Sequence, residues 1–322
     1  MPAPRLSRAA AGLLPLSVVT ALVLTGCSSD DAPPPDPDRG CAPTSSAQAE
    51  DVRPIDLPPA HVTVTDPGTG DLSIPAPAPR TDAPQRVTLT TESRETSVVG
   101  SESTAPTTTV EAVTMALTAY AGCTQPDQLE FTFGDVSSPD EALDPALDAF
   151  DGATGGVTYR DGMTPTSLRI FPPQDAEAPA SRAVEQSLLS ALTYAVPIPT
   201  APIGEGARWR VERTVTAATT VEQVMEVTLT ARDGDRLTLD VSVDETPTAP
   251  IFRIPGSAST LDLSRFNNTG SGTVTVDLAT LLPQSGSLEL RGARELVGAD
   301  AERPILQQTA FSLRWEPTAG QS

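Results

Sequence analysis

The chain predicts a mainly β protein: one large, strongly curved antiparallel sheet, half-barrel-like, with one or two covering helices. Three observations predict it. Short segments with polar and apolar residues in alternation recur from residue 61 to residue 315. Val and Thr are enriched in those segments, which favours strand over helix. One amphipathic stretch of helical period lies among them, and a lone helix amid a dozen strands is expected to fill the inside of a curved sheet. A β-sandwich with both helices at its periphery is the alternative arrangement.

Residues 1–26 precede the fold. Arg5 and Arg8 form a basic start, and residues 9–24 are an apolar run, rich in small residues and short for a membrane span. Leu24-Thr25-Gly26-Cys27 follows. The arrangement resembles the lipobox of bacterial lipoproteins. It implies export, diacylglycerol on the Cys27 sulfur and cleavage just before that residue. The implied location is the extracytoplasmic face of the cell membrane, with the membrane itself as a partner through the lipid on Cys27. Residues 27–59 contain Pro33-Pro34-Pro35, Pro58-Pro59 and several aspartates, with almost no large apolar residue. That composition reads as a disordered acidic tether. Asp30, Asp31, Asp36 and Asp38 lack the glycine and terminal glutamate of a calcium loop.

A single β-rich domain is expected over 60–316, with 317–322 a disordered tail. Its first strands are predicted at 61–65, 86–91, 109–120, 129–133, 157–161 and 166–171. In the third, Val113, Met115, Leu117 and Ala119 share one face. Ser138-Pro139-Asp140-Glu141 has the form of a helix start, with a cap, a first-turn proline and a capping-box acid. Pro145 is expected to cut that helix short. The second helix is predicted from about 179 to 194. Val184, Leu188, Leu192 and Ala195 lie near helical spacing, and Pro197 stands beyond its end. Further strands are predicted at 209–215, 221–230, 237–243, 259–263, 272–278, 287–295 and 305–315. Asp233-Gly234 marks a hairpin turn. The residues between the two β-rich halves are short and not linker-like, so the halves are read as one domain.

Charge excludes one class of function. Loss of residues 1–26 removes two of 21 arginines and no acid, leaving 19 Arg against 42 Asp and Glu, a net charge of −23. A nucleic-acid role needs a cationic footprint that this chain lacks. The sequence has no lysine, so Schiff-base chemistry and a Ser–Lys dyad are excluded as well.

Besides Cys27 the chain has Cys41 and Cys123. They are an even pair in an oxidising compartment, which points to one disulfide. Two free thiols, with Cys41 in the tether, are the alternative. His61 is the only histidine, and no G-x-S-x-G elbow exists. A lone strand histidine beside a linker is more often a surface residue than a catalytic base. Asp140, Glu141, Asp144, Asp148 and Asp151 form the densest acidic cluster. Helical spacing would align Asp140, Asp144, Asp148 and Asp151, more often as a solvated face than as a weak cation surface. Aromatic residues make up only 4% of the chain, which lowers the glycosidase and lectin readings because sugar sites usually use aromatic platforms.

Residues 197–209 (PIPTAPIGEGARW) are the most distinctive stretch after Cys27. They form a stiff extended entry, a Gly-x-Gly bend and an aromatic anchor that opens a strand. In chain order, Phe131-Thr132-Phe133, residues 152–160, the amphipathic helix and Pro202-Ile203-Gly204-Glu205-Gly206-Ala207-Arg208-Trp209 resemble a domain-of-unknown-function family. Its members are secreted and lipid-anchored bacterial β-proteins, and the resemblance covers about residues 61–316. The family has no assigned catalytic residues, so the resemblance implies none here. In architecture the chain is similar to the half-barrel of lipid-carrier lipoproteins (the LppX/LprG and LolA type), where a sheet and a helix enclose an apolar cavity.

The expected function is a non-catalytic envelope module that binds a protein or a wall polymer. A carrier of an apolar, lipid-like ligand is the alternative. It would need a cavity of a few hundred Å3, lined by Val113, Met115, Leu117, Leu188, Leu192, Met225, Val227, Leu239 and Val241. A hydrolase has the least support, since no catalytic residue, cofactor or metal ligand can be assigned.

Overall fold

The computed structural model describes residues 40–43, 52–100 and 105–318. The leader, Cys27 and the tail from 319 lie outside the described residues, as does most of the expected tether.

Before the first helix come β1 (Ile55–Asp56), β2 (His61–Asp66), β3 (Thr69–Ser73), β4 (Gln85–Val99), β5 (Thr107–Ala121) and β6 (Gln128–Ser137). Then come α1 (Asp144–Leu147), β7 (Thr154–Arg160), β8 (Thr164–Phe171) and α2 (Ala178–Thr193). Next are β9 (Ile203–Glu205), β10 (Arg208–Thr216), β11 (Thr220–Asp233), β12 (Arg236–Pro247) and β13 (Ile251–Arg253). The chain finishes with β14 (Thr260–Asp277), β15 (Ser285–Val297) and β16 (Ile305–Pro317).

Fourteen of these strands make one antiparallel sheet, in the order β1-β8-β7-β6-β5-β4-β16-β15-β14-β12-β11-β10-β2, with β13 paired to β14. The strands do not divide into the two large sheets of a sandwich; β3 and β9 form a separate small pair. The halves before and after α2 meet where β4 pairs β16 from Val99↔Ile305 to Val87↔Pro317. One hydrophobic core takes residues from both halves and from α2.

The alternating patterns give strands where they are expected, and most strands are longer. The β11–β12 hairpin turns at Gly234, whose φ of +60° suits glycine. The segments predicted at 259–263 and 272–278 are one continuous strand, β14. Gly270 and Gly272, which resemble turn punctuation, are positions of close approach. A Cβ on Gly270 would lie 2.6 Å from Leu290 Cγ, and one on Gly272 2.7 Å from Leu288 Cα. The first helix also differs from its prediction. Ser138 Oγ accepts from the Asp140 amide in a local turn, and helix proper begins at Asp144 with Pro145 in its first turn. Pro145 starts the helix rather than interrupting it, because a first-turn proline forfeits no helical hydrogen bond. Asp140 and Asp151 fall outside the helix, so the expected acidic face does not form.

The start of the fold also lies earlier than residue 60. Ile55 and Asp56 pair with Leu168 and Ser167 of β8, and Leu57 is buried with its amide donating to the Thr166 carbonyl. Hydrophobicity of Ile55 and Leu57 within a Pro-rich stretch carries this segment into the sheet. Cys41 and Cys123 form a disulfide, with Cα atoms 5.1 Å apart. Ala42 is buried beside it and exchanges backbone hydrogen bonds with Ala121 and Cys123.

α2 buries Ala180, Val184, Ser187, Leu188, Ala191 and Leu192, a stripe at helical spacing. The chain leaving it is pinned twice. Trp209, fully buried, donates its indole N–H to the Pro197 carbonyl at 3.0 Å, and the Ile198 amide donates to the Gly162 carbonyl at 2.7 Å. Gly162 has φ +69°, and a Cβ there would lie 2.1 Å from the Ile198 oxygen. Gly162→Ala is therefore expected to lose about 2 kcal/mol or more, from a left-handed backbone plus a steric collision. Gly70 has φ +80° with open space around it, so Gly70→Ala should lose only about 1 kcal/mol. Urea unfolding midpoints of the two variants check the difference; equal losses would remove the collision argument.

Candidate functional site

The site arises from a change of character along single strands. On the core face, neighbouring residues run Gly272, Leu288, Leu313, Thr91 and Val113 across β14, β15, β16, β4 and β5. This row is largely apolar and lies under α2, where Thr91 and Ser187 hydrogen-bond through their hydroxyls. Four residues further along the same face the row reads Asn268, Gly292, Thr309, Glu95 and Thr109. The next reads Phe266, Arg294, Gln307, Ser97 and Thr107. The core face thus ends in a polar region.

Two networks organise that region. In the first, the Glu245 carboxylate accepts from Tyr194 Oη (3.0 Å), Gln223 Nε2 (2.9 Å) and Asn268 Nδ2 (2.7 Å). Gln223 is fully buried. Tyr194 caps α2, and its ring stacks on Phe311 with centroids 5.3 Å apart. Burial first, then the charge and hydrogen bond of Glu245, hold its phenol well above the ordinary range, with the Arg213 cation opposing. Arg213, itself buried, donates to the carbonyls of Thr193 and Ala195 at the end of α2. Burial pushes its guanidinium down to about 10.

In the second network Arg294 donates to Glu95 Oε2 and to Gln307 Oε1, both at 2.6 Å. Gln307 donates in turn to Glu95 Oε1 at 2.7 Å and to Ser97 at 3.0 Å. The Arg294 guanidinium also sits 4.6 Å from the centre of the Phe252 ring. Burial lowers the Arg294 pKa, and Glu95 works against that shift.

An open groove of about 750 Å3 lies over these networks. Ile55, Leu57 and Pro58 form one side, and Thr214, Val215 and Thr219 belong to another. Gln186, Leu189, Ser190 and Thr193 of α2 reach into it, and Glu245, Phe266, Asn268, Arg294 and Thr309 contribute from the sheet. A second space, apolar and of about 30 Å3, lies among Leu192, Val241, Val274, Leu288, Leu313 and Trp315. It has room for one or two water molecules.

All nine residues expected to line a lipid cavity are buried in the core. Leu192 and Val241 border the 30 Å3 space, and none of the nine borders the groove. The groove residues escape sequence reasoning because Ser, Thr, Asn and Gln on a strand resemble an ordinary solvated face. The readable signal is the break in β4, where Val87 and Leu89 give way on the same face to Ser93, Glu95 and Ser97.

His61 is exposed on β2, opposite Glu212 of β10. Of the acidic cluster, Asp144 accepts from the Ser138 amide and Asp140 from the Ala142 amide, both in local turns. Among the described residues no group of three or more His, Cys, Asp or Glu side chains is placed to hold a metal ion. The Gly204-Glu205-Gly206 bend carries β9, paired to β3, into β10. No family model matches this chain, and no curated protein matches it in sequence.

The buried phenols give a pH prediction. Tyr194 and Tyr159 both titrate above the ordinary value of 10.0 in the folded state, Tyr159 through burial. The folded state therefore keeps protons that the unfolded state releases. Their contribution to stability is constant below about pH 10 and declines as pH rises further. Alkaline spectrophotometric titration should show both phenolates emerging with unfolding. Tyr194→Phe should remove its share of that slope and lose about 1 kcal/mol at neutral pH. Early ionisation of both tyrosines in the folded protein would refute the buried arrangement.

Proposed function

We propose that the chain is a lipid-anchored extracytoplasmic lipoprotein whose β-rich body is a non-catalytic binding module. The observation that carries the binding part is the groove: about 750 Å3 of open space over two networks of positioned polar groups. A volume of this size suits a small or elongated ligand. The anchoring part rests on the lipobox-like Leu24-Thr25-Gly26-Cys27 and its basic and apolar approach. The Cys41–Cys123 disulfide agrees with an oxidising compartment. Diacylglycerol on Cys27 makes the membrane one partner, and an envelope protein or wall polymer is the other.

We further read the sheet as strongly curved, in the manner of a half-barrel. Chain reach supports this. Asp56 in β1 and His61 in β2 are five residues apart, a span of at most about 18 Å. Yet β1 and β2 stand at opposite ends of a thirteen-strand path, which laid flat would separate them by about 58 Å. Pro58 and Pro59 lie in the connection and, having no N–H, cannot extend a ladder across it. The groove's lining by both ends of the path, β1 and β10, supports the same reading.

The carrier alternative shares this curvature but has little internal space: the apolar cavity beside α2 holds about 30 Å3, far below a lipid-sized site. Native mass spectrometry of the protein from its natural host, followed by organic extraction, tests both parts. The expected result is a chain beginning at Cys27 with one covalent lipid adduct, lost in Cys27→Ala, and no second lipid. An unlipidated chain would end the anchoring proposal. A second, non-covalent lipid in stoichiometric amount would replace the module with a carrier.

A further inference from the structure

We propose that the groove takes a neutral polyhydroxylated ligand, a short stretch of saccharide chain; this rests on the groove being the binding site. The first argument is charge. Glu245 and Arg294 both reach the groove, and both are committed. Glu245 already accepts from Tyr194, Gln223 and Asn268, and Arg294 is held between Glu95 and Gln307. An anionic ligand would have to compete with Glu95 at 2.6 Å for the guanidinium. The Glu245 carboxylate accepts from three neutral donors, two on Oε1 and one on Oε2, which leaves about one of its four acceptor positions for a ligand hydroxyl. Asp56 sits exposed at the rim, where water screens it. The floor therefore disfavours an anion and offers Glu245 as an acceptor to a neutral donor.

The second argument is the hydrogen-bonding inventory. Gln186, Ser190 and Thr193 from α2 and Asn268 and Thr309 from the core face of the sheet are all neutral hydroxyls or amides. Each such group both donates and accepts, which is the pattern a row of sugar hydroxyls presents in return. An acyl chain in the same place would strip water from these groups and return no hydrogen bond, a penalty of about 1–3 kcal/mol for each one left buried and unmet.

The third argument is the apolar complement. Tyr194, stacked on Phe311, and Phe266 stand among the polar groups. Rings of this kind give the C–H faces of a sugar a surface to rest on. Only 4% of the chain is aromatic, so two rings in one polar groove, Tyr194 at the end of α2 and Phe266 on β14, are a local concentration.

The test uses the full-length protein in a detergent without a sugar headgroup, with calorimetric titration of tetrasaccharides built from glucose, galactose, mannose or N-acetylglucosamine. Oleate and an uncharged extended heptapeptide are titrated alongside. Ser190→Trp plugs the groove from a half-exposed helix position, and Thr309→Val removes one hydroxyl at nearly constant volume; circular dichroism confirms that both variants fold. The expected result is saturable binding of at least one tetrasaccharide, abolished by Ser190→Trp and weakened about 5-fold by Thr309→Val. Oleate or peptide binding that Ser190→Trp abolishes, with no tetrasaccharide bound, would overturn the ligand class and leave the groove as the site. No probe sensitive to Ser190→Trp would overturn both the ligand class and the groove.

Discussion

The hydrogen bonds from Arg213 to the carbonyls of Thr193 and Ala195 are the contacts on which the rest of the structure depends. A helix end leaves carbonyls without intrahelical partners, and here the buried Arg213 side chain supplies a partner for two of them. A buried guanidinium is costly by itself, and the pKa of Arg213 is pushed down to about 10 by that burial. The cation nevertheless suits this place, because the negative end of the helix dipole and two carbonyls meet it together. The consequence is positional. Arg213 belongs to β10, so the end of α2 is tied to a strand near one end of the sheet path. Ile198, five residues beyond Thr193, is tied to Gly162, next to β8 near the other end. One short run of chain thus holds both ends of the path to the same helix.

Length explains why a polar region exists beyond the helix. α2 has 16 residues, about 24 Å of helix. β14 has 18 residues, about 60 Å of strand. Even laid along β14, the helix could cover less than half of it. Side chains on the core face past its reach must either find another apolar cover or be polar. The sequence takes the second course in Glu95, Gln307, Thr309, Asn268 and Arg294. The ion pair of Arg294 and Glu95 is half-buried and hydrogen-bonded on several sides, which separates it from the exposed pair of Arg291 and Glu289. Exposed pairs contribute little. A partly buried pair in a satisfied network fixes side-chain positions, and fixed positions are what a binding surface requires.

Where burial has one sign per face, the sequence is readable. Val113, Met115 and Leu117, or Leu237, Leu239 and Val241, alternate so regularly that strand and inward face follow at once. α2 is readable because Val184, Leu188 and Leu192 keep helical spacing between prolines. The sequence is silent where both faces are polar. Ser93, Glu95 and Ser97 mark where the apolar face of β4 stops but not that the strand runs on, because that information lies in pairing with Phe311, Thr309 and Gln307 more than 200 residues away. Gly270 falls between two segments predicted as separate strands for a related reason. Glycine signals a turn and a close approach with the same letter, and only Leu288 and Leu290 on the neighbouring strand decide between them. The groove was illegible on both counts, being built from polar residues and from β1, a strand of two residues inside a proline-rich stretch.

The disulfide and the groove stand at opposite ends of β5. Cys41 is bonded to Cys123, just past the Ala121 end of β5. The groove lies at the other end, in the row that contains Thr309, Glu95 and Thr109. Twelve residues of extended strand separate Thr109 from Ala121, about 40 Å. The bridge therefore fixes residues 40–42 to the sheet far from the groove, where Ala42 is buried and exchanges backbone hydrogen bonds with Ala121 and Cys123. At the groove end, among the described residues, no covalent tie does this. The polar rows there are held by side-chain hydrogen bonds, from Arg294 to Glu95 and Gln307 and from Asn268 to Glu245, so the positions of the groove's polar groups rest on that network rather than on the bridge.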